Sequence, residues 1–206
     1  MSLDPGRHWE EIYRRDDAGE VSWFEEVPRH SLELVRATGV SRDSPILDVG
    51  GGASRLADQL VAAGYTDLTV LDLSPAALAQ TRARLEKAAD SIEWIDADVT
   101  RFQPNRRYAL WHDRAVFHFL VTPEDQQRYV QALRAALGPR GHVILATFGP
   151  EGPTRCSGLP VHRYSAGELC VALGSGFELK RSELVEHRTP AGRSQQFLFG
   201  WWQAVG

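Results

Sequence analysis

The sequence predicts an α/β fold, a doubly wound sheet with helices on both faces. Three observations predict it. Apolar, β-rich runs alternate with helical runs along most of the 206 residues, with short turn-forming punctuation between them. The first of these strands runs into three consecutive glycines, Gly50 to Gly52. Acids stand at or near the ends of four strand patterns, Asp48, Asp72, Asp98 and Asp113, the side on which open α/β sheets take up ligands.

Two helices precede the sheet. Trp9, Ile12 and Tyr13 recur at helical spacing over residues 7 to 15, and a second helix runs from about Pro28, a first-turn residue, to Thr38 before Gly39. Strands are expected near 45 to 49, 67 to 72, 91 to 96, 108 to 112 and 141 to 148, with helices near 54 to 63, 75 to 88 and 123 to 136. Residues 149 to 163 read as a loop rich in Gly and Pro. A helix from Ser165 to Leu173 follows, then two β-like runs, Phe177 to His187 and Gln195 to Gln203, joined through Thr189-Pro190-Ala191-Gly192. The whole chain is expected to be one domain, since single domains commonly reach this length.

The glycine turn carries the first chemical information. Glycine reaches positive φ and lets a ligand approach the backbone with no Cβ in the way. The dinucleotide fingerprint GxGxxG needs a third glycine where this chain has Arg55, which argues against hydride transfer. Asp72, closing Leu68-Thr69-Val70-Leu71 twenty residues after Gly52, has the spacing of a carboxylate that holds ribose hydroxyls.

The series LDVGGGAS, VLDLS and DADV, followed by an acid after a fourth strand, is similar to the motifs of class I S-adenosylmethionine-dependent methyltransferases from about Pro45 to Phe148. The resemblance implies a Rossmann-like seven-stranded sheet, mostly parallel with an antiparallel last strand. It divides the single domain into an N-terminal helical lid (1–40), a cofactor-binding core (45–148) and an acceptor-side loop, helix and closing hairpin (149–206). It implies S-adenosylmethionine as donor and S-adenosylhomocysteine as product. Asp48, Gly50 and Gly52 match the family's first motif, with Ser54 at its third glycine, where Ser can cap the next helix. Gly50 and Gly52 would lie against the methionine part, Asp72 on the ribose, Leu73 against the adenine, and Asp98 with Val99 at the adenine edge.

In the family the residues after the fourth strand line the acceptor pocket, here His112-Asp113-Arg114 and His118. His112 or Asp113 is the expected proton acceptor if the methyl acceptor arrives protonated; a histidine satisfied by its surroundings is the other reading of His112. The family's usual acid near the start of this strand is replaced by Ala109, which leaves Asp113 as the strand's acid. Trp9, Tyr13 and Trp23 belong to the expected lid, either stacking near a sulfonium or packing the helices onto the sheet. With Arg114 and His118, Trp23 is placed on the acceptor side. Cys156, beside His162 and Arg163, either meets a thiophilic acceptor or fills the loop as an inert thiol.

Composition limits the partners. A formal charge of −4 with scattered arginines shows no broad basic surface for nucleic acid. No apolar run approaches the roughly 20 residues of a membrane helix, and the start Met1-Ser2-Leu3-Asp4-Pro5 is polar. A cytoplasmic location is therefore expected. Cys156 and Cys170 make neither a disulfide scaffold nor a metal-ligand spacing. The opening HWEEIYRR, the HDRAVFHFL run and CSGLPVHRYS resemble small bacterial methyltransferases, and the opening and core are also similar to a eukaryotic protein-lysine methyltransferase type. A small-molecule acceptor is the first expectation and a protein side chain the second; a non-catalytic cofactor-binding module or a nicotinamide-dependent enzyme is the reading from another class. Oligomeric state is not legible in the sequence.

Overall fold

The computed structural model describes residues 4–15 and 21–205; the remainder of the expected lid, 1–3 and 16–20, lies outside the described residues. Seven strands form one sheet in the order β3-β2-β1-β4-β5-β9-β8. They are β1 (Ile46–Val49), β2 (Leu68–Asp72), β3 (Ile92–Asp96), β4 (Tyr108–Arg114), β5 (Leu137–Phe148), β8 (Phe177–Arg188) and β9 (Ser194–Ala204). The first five run parallel, and β9 lies antiparallel to both β5 and β8. This is the mostly parallel sheet with an antiparallel last strand that the sequence predicts.

Helices α1 (Pro5–Arg15), α2 (Arg29–Thr38), α3 (Leu56–Ala62), α4 (Pro75–Leu85), α5 (Pro123–Ala136) and α6 (Ala166–Leu173) surround the sheet. Local chemistry sets several of their starts. Ser74 accepts the Ala77 N–H ahead of Pro75, Thr122 accepts the Asp125 N–H ahead of Pro123, and Ser165 forms a reciprocal capping box with Glu168. Alternation along the strands then separates two cores. Ile46, Leu110 and Ile144 face one cluster with Leu34 of α2 and Leu60 of α3; Leu47, Trp111 and Leu145 face the other with Leu133 of α5 and Leu169 of α6.

Three local differences have physical causes. β5 starts at Leu137, earlier than position 141, because Leu137 pairs with Tyr108 before a register shift. The loop after β5 contains a short hairpin, β6 (Arg155–Cys156) with β7 (Leu159–Pro160), turned through Ser157 and Gly158, both at positive φ. α2 packs on α3 and β5, with Ser31, Leu32, Leu34 and Val35 buried, so it is a layer helix rather than a cover. Among the described residues no helix is long and apolar enough to cross a membrane.

Candidate active site

The order of the sheet places its topological switch between β1 and β4, where the chain leaves β1 toward β2 on one side and later returns as β4 on the other. The glycine turn sits at the carboxyl end of β1, in the crevice such a switch creates. Gly50 has φ +68°, and a Cβ built on it would stand 2.1 Å from Val116 Cγ2. A Cβ on Gly51 would stand 2.3 Å from Asp48 Oδ2, and one on Gly52 would stand 2.5 Å from Asp72 Oδ2. The three glycines thus let two carboxylates and the β4 turn close around one loop.

Asp72 receives the Gly52 N–H at 2.9 Å and the Ser74 N–H at 2.9 Å. Burial pushes its carboxyl up to about 6, against the pull of those two amides, with the Asp48 charge adding to the rise. Asp48 accepts from His112 Nδ1 at 2.7 Å through Oδ1, while His112 Nε2 meets Ser31 Oγ at 2.9 Å. The second oxygen, Asp48 Oδ2, is buried with no hydrogen-bond partner among the described residues.

α1 crosses the carboxyl ends of the strands. Its Glu10 carboxylate accepts from Ser74 Oγ at 2.7 Å and from the Ala76 N–H at 3.0 Å, and Gln80 donates to the Tyr13 carbonyl at 2.7 Å. Trp9 contacts Trp23, Tyr13 and Phe119 edge-on or tilted, with ring centroids 5.6, 6.2 and 5.0 Å apart. The Trp23 indole hydrogen-bonds the Tyr13 hydroxyl, whose ionisation is pushed up by burial and then by the Asp72 charge. Behind this aromatic group a cleft of about 500 Å³ opens between α1 and the loop after β5. Its walls include His8, Glu11, Trp23, Ser157 and Arg193.

The residues around the glycine turn fit a nucleoside sulfonium. A buried carboxylate oxygen without a donor, a strand-end acid held short of full ionisation by burial, and a turn that excludes Cβ atoms suit a ligand carrying donors and approaching the backbone. Leu73 lies against Gly6 of α1. Asp98 accepts from Thr100 N and Oγ1, both at 2.8 Å, at the start of a single 3-10 turn whose first residue, Val99, is buried. Ser54 accepts the Leu56 N–H at 2.9 Å, although Arg55 occupies the cap position itself.

Alternation turns His112 and Asp113 to opposite faces of β4, and the placement of Asp113 and His118 departs from the expected acceptor pocket. Asp113 does not point into the crevice. It is fully buried toward α5, accepting from Tyr129 Oη at 2.5 Å, Val116 N at 2.8 Å and Phe117 N at 3.1 Å. Burial raises it to about 6, and its donors come from Tyr129 and the turn after β4, so it holds that turn. His112 has both ring nitrogens engaged, the reading of a histidine satisfied by its surroundings. His118 is fully buried between Phe119 and Phe148 and accepts the Phe148 N–H at 3.2 Å; burial drives its pKa down to about 3, so it is a neutral core residue and not an acceptor contact. Cys156 is 5% exposed and its thiol is pushed up to about 11 by burial, the condition of an inert core thiol.

Arg114 is committed to the chain itself. It donates to the Trp23 carbonyl at 2.8 Å, pairs with Glu25 at 3.2 Å and lies over Phe197. That pins the segment carrying Trp23 to the sheet. Sequence reasoning missed Glu10, Ser31, Phe119 and His8. Ser31 and Glu10 look like ordinary helix residues, and their partners lie 81 and 64 positions away. His8 lines the cleft with its Nε2 buried and unpartnered among the described residues.

The comparisons with known proteins agree with this geometry. The family profile described as "Methyltransferase domain" matches residues 46–141. EEF1A lysine methyltransferase 2 of Danio rerio is 28% identical over 87% of this chain and 77% of its own. Nodulation protein S of Sinorhizobium fredii is 31% identical over 66% of this chain and 64% of its own. The crystal structure of the N-methyltransferase NodS of Bradyrhizobium japonicum with S-adenosyl-l-homocysteine superposes with a TM-score of 0.75 at 16% identity, over 98% of this chain and all of that one. The fold, the glycine turn between Asp48 and Asp72, and these likenesses agree: residues 46–141 carry a methyltransferase domain, and the chain is an S-adenosylmethionine-dependent methyltransferase.

Proposed function

We propose that this methyltransferase acts on a small molecule taken up in the cleft between α1 and the loop after β5. The cleft carries the reading. Its volume of about 500 Å³ lies in the range of small-ligand sites, roughly 300 to 1,000 Å³, and the pinned α1 beside it restricts access by a protein surface. Asp72 would hold the ribose, Leu73, Asp98 and Val99 the adenine, and Gly50 and Gly52 the methionine part, with Trp9, Tyr13 and Trp23 covering the reactive end.

The donor, when bound, supplies a methyl already activated on sulfur. What the chain adds is orientation and exclusion of water, which in the best intramolecular cases lower barriers by about 7 to 11 kcal/mol. His8 is the imidazole on the cleft wall, its Nε2 buried and unpartnered among the described residues. Both cysteines are free thiols, in keeping with a reducing compartment such as the cytoplasm.

A protein side chain is the second reading. It is favoured by the similarity to EEF1A lysine methyltransferase 2, which spans 87% of the chain. Incubation with methyl-labelled S-adenosylmethionine, once with a metabolite extract and once with the protein fraction, separates the two. Label in low-mass products supports the small-molecule reading; label confined to one protein band overturns it.

A further inference from the structure

Ser31, His112 and Asp48 form a continuous buried chain from α2 to the glycine turn, with His112 and Asp48 side chains only 3% and 5% exposed. The order serine, histidine, aspartate is that of an activated nucleophile. Here it cannot serve that end. Ser31 is 1% exposed within α2, and the space beside it, between Arg55, His112 and Arg114, holds about 40 Å³.

The chain instead settles an orientation. The Nδ1–H tautomer donates to Asp48 Oδ1, which leaves Nε2 free to accept the Ser31 hydroxyl. One oxygen of Asp48 is thereby used up and the other, Oδ2, stays bare against Gly51, where a single added Cβ would collide with it. We infer that Ser31 and His112 are positioning residues which hold Asp48 in the rotamer that presents Oδ2 at the glycine turn. The inference rests on the proposed cofactor placement. It ties α2 to the donor site through one imidazole and explains why a histidine stands beside Asp48 without acting as a base.

Two substitutions separate the nitrogens. His112→Asn puts an amide nitrogen where Nδ1 lies and keeps the bond to Asp48; His112→Gln reaches Ser31 and loses it. S-adenosylhomocysteine affinity, measured by calorimetry on folded protein, is expected to stay within about threefold in His112→Asn and to fall at least about tenfold in His112→Gln. Nitrogen-15 spectra of the wild-type imidazole are expected to show the Nδ1–H tautomer, and Ser31→Ala to keep it, since the Asp48 carboxylate only accepts. Equal losses in the Asn and Gln variants, or an Nε2–H tautomer in the wild type, overturn the inference while leaving the cofactor placement intact. Absence of S-adenosylhomocysteine binding by the wild type overturns both. If His112→Gln does not fold, the Asn variant and the tautomer still decide: a loss of tenfold or more in folded His112→Asn overturns the inference.

Discussion

The Glu10 carboxylate of α1 sits over Ser74, 2.7 Å from its hydroxyl and 3.0 Å from the Ala76 N–H. It thereby takes over the N-terminus of α4, where backbone donors lack helical partners and a negative charge is favoured. These bonds hold its pKa below the usual carboxylate value. A depressed folded pKa means the contribution is present at neutral pH and is lost only as pH falls below the ordinary range for glutamate. The cap therefore holds α1 over the crevice under physiological conditions.

Removing that charge should loosen α1 locally. In Glu10→Gln, hydrogen exchange in residues 5 to 15 should accelerate markedly. The melting temperature should move by no more than about 2 to 4 °C, the shift for a lost cap in a chain of this size, because α1 itself contains no fully buried residue. Unchanged exchange would mean the aromatic contacts of Trp9 suffice to hold the helix.

With Asp72 on the ribose as proposed, donor binding is expected to depend on pH. Its folded value of about 6 comes first from burial, and ribose hydroxyls bond best to the ionised form. Affinity for S-adenosylhomocysteine should be flat above about pH 7 and fall by up to about tenfold per unit below pH 6. Asp72→Asn should flatten that profile and weaken binding by about 1 to 3 kcal/mol at pH 8. A wild-type profile that stays flat to pH 5 would remove Asp72 from the ribose.

Asp113 affects stability in the opposite sense to a paired surface acid. Its folded pKa, raised to about 6 by burial, exceeds the unfolded value, so it stabilises most at low pH and that contribution is lost as pH rises through 6. The stability difference between wild type and Asp113→Asn, from denaturant melts, should shift in favour of wild type by about 1 kcal/mol on going from pH 7.5 to pH 5. Tyr129→Phe strips a donor from Asp113 and an acceptor from the Trp111 indole. It should cost about 1 to 3 kcal/mol at neutral pH, and cofactor affinity should stay constant in both variants.

Gly50→Ala faces two separate penalties. The φ of +68° costs an L-residue about 1 to 2 kcal/mol, and the new Cβ meets Val116 Cγ2. Adding Val116→Ala should recover the steric part and leave the backbone part. Melts and calorimetry on the single and double variants give both terms; no recovery in the double variant would mean the backbone penalty accounts for the whole effect.

Much of this protein was legible in the sequence because it depends on short-range pattern. The strand-helix alternation, the turn at Gly50 to Gly52 and the acid at Asp72 all follow from residues a few positions apart, and with them the fold; the methyl donor followed from the family resemblance these motifs carry. Even the closing pair of strands, β8 and β9, could be read from their runs and the Thr189-Pro190-Ala191-Gly192 turn.

What neighbouring side chains do was decided only by the tertiary structure. His112 and Asp113 are adjacent and stand as equal candidates for the base in the sequence, yet strand alternation turns one toward Ser31 and Asp48 and the other toward Tyr129. Which face holds the crevice depends on the pairing of β4 with β1 and β5, and on helices supplied by distant segments. Hydrogen-bond partners 64 and 81 residues apart leave no local signature. Local pattern, and the family resemblance it carries, therefore reached the fold and the methyl donor, and only packing revealed that Asp113 and His112 are bound to partners within the chain.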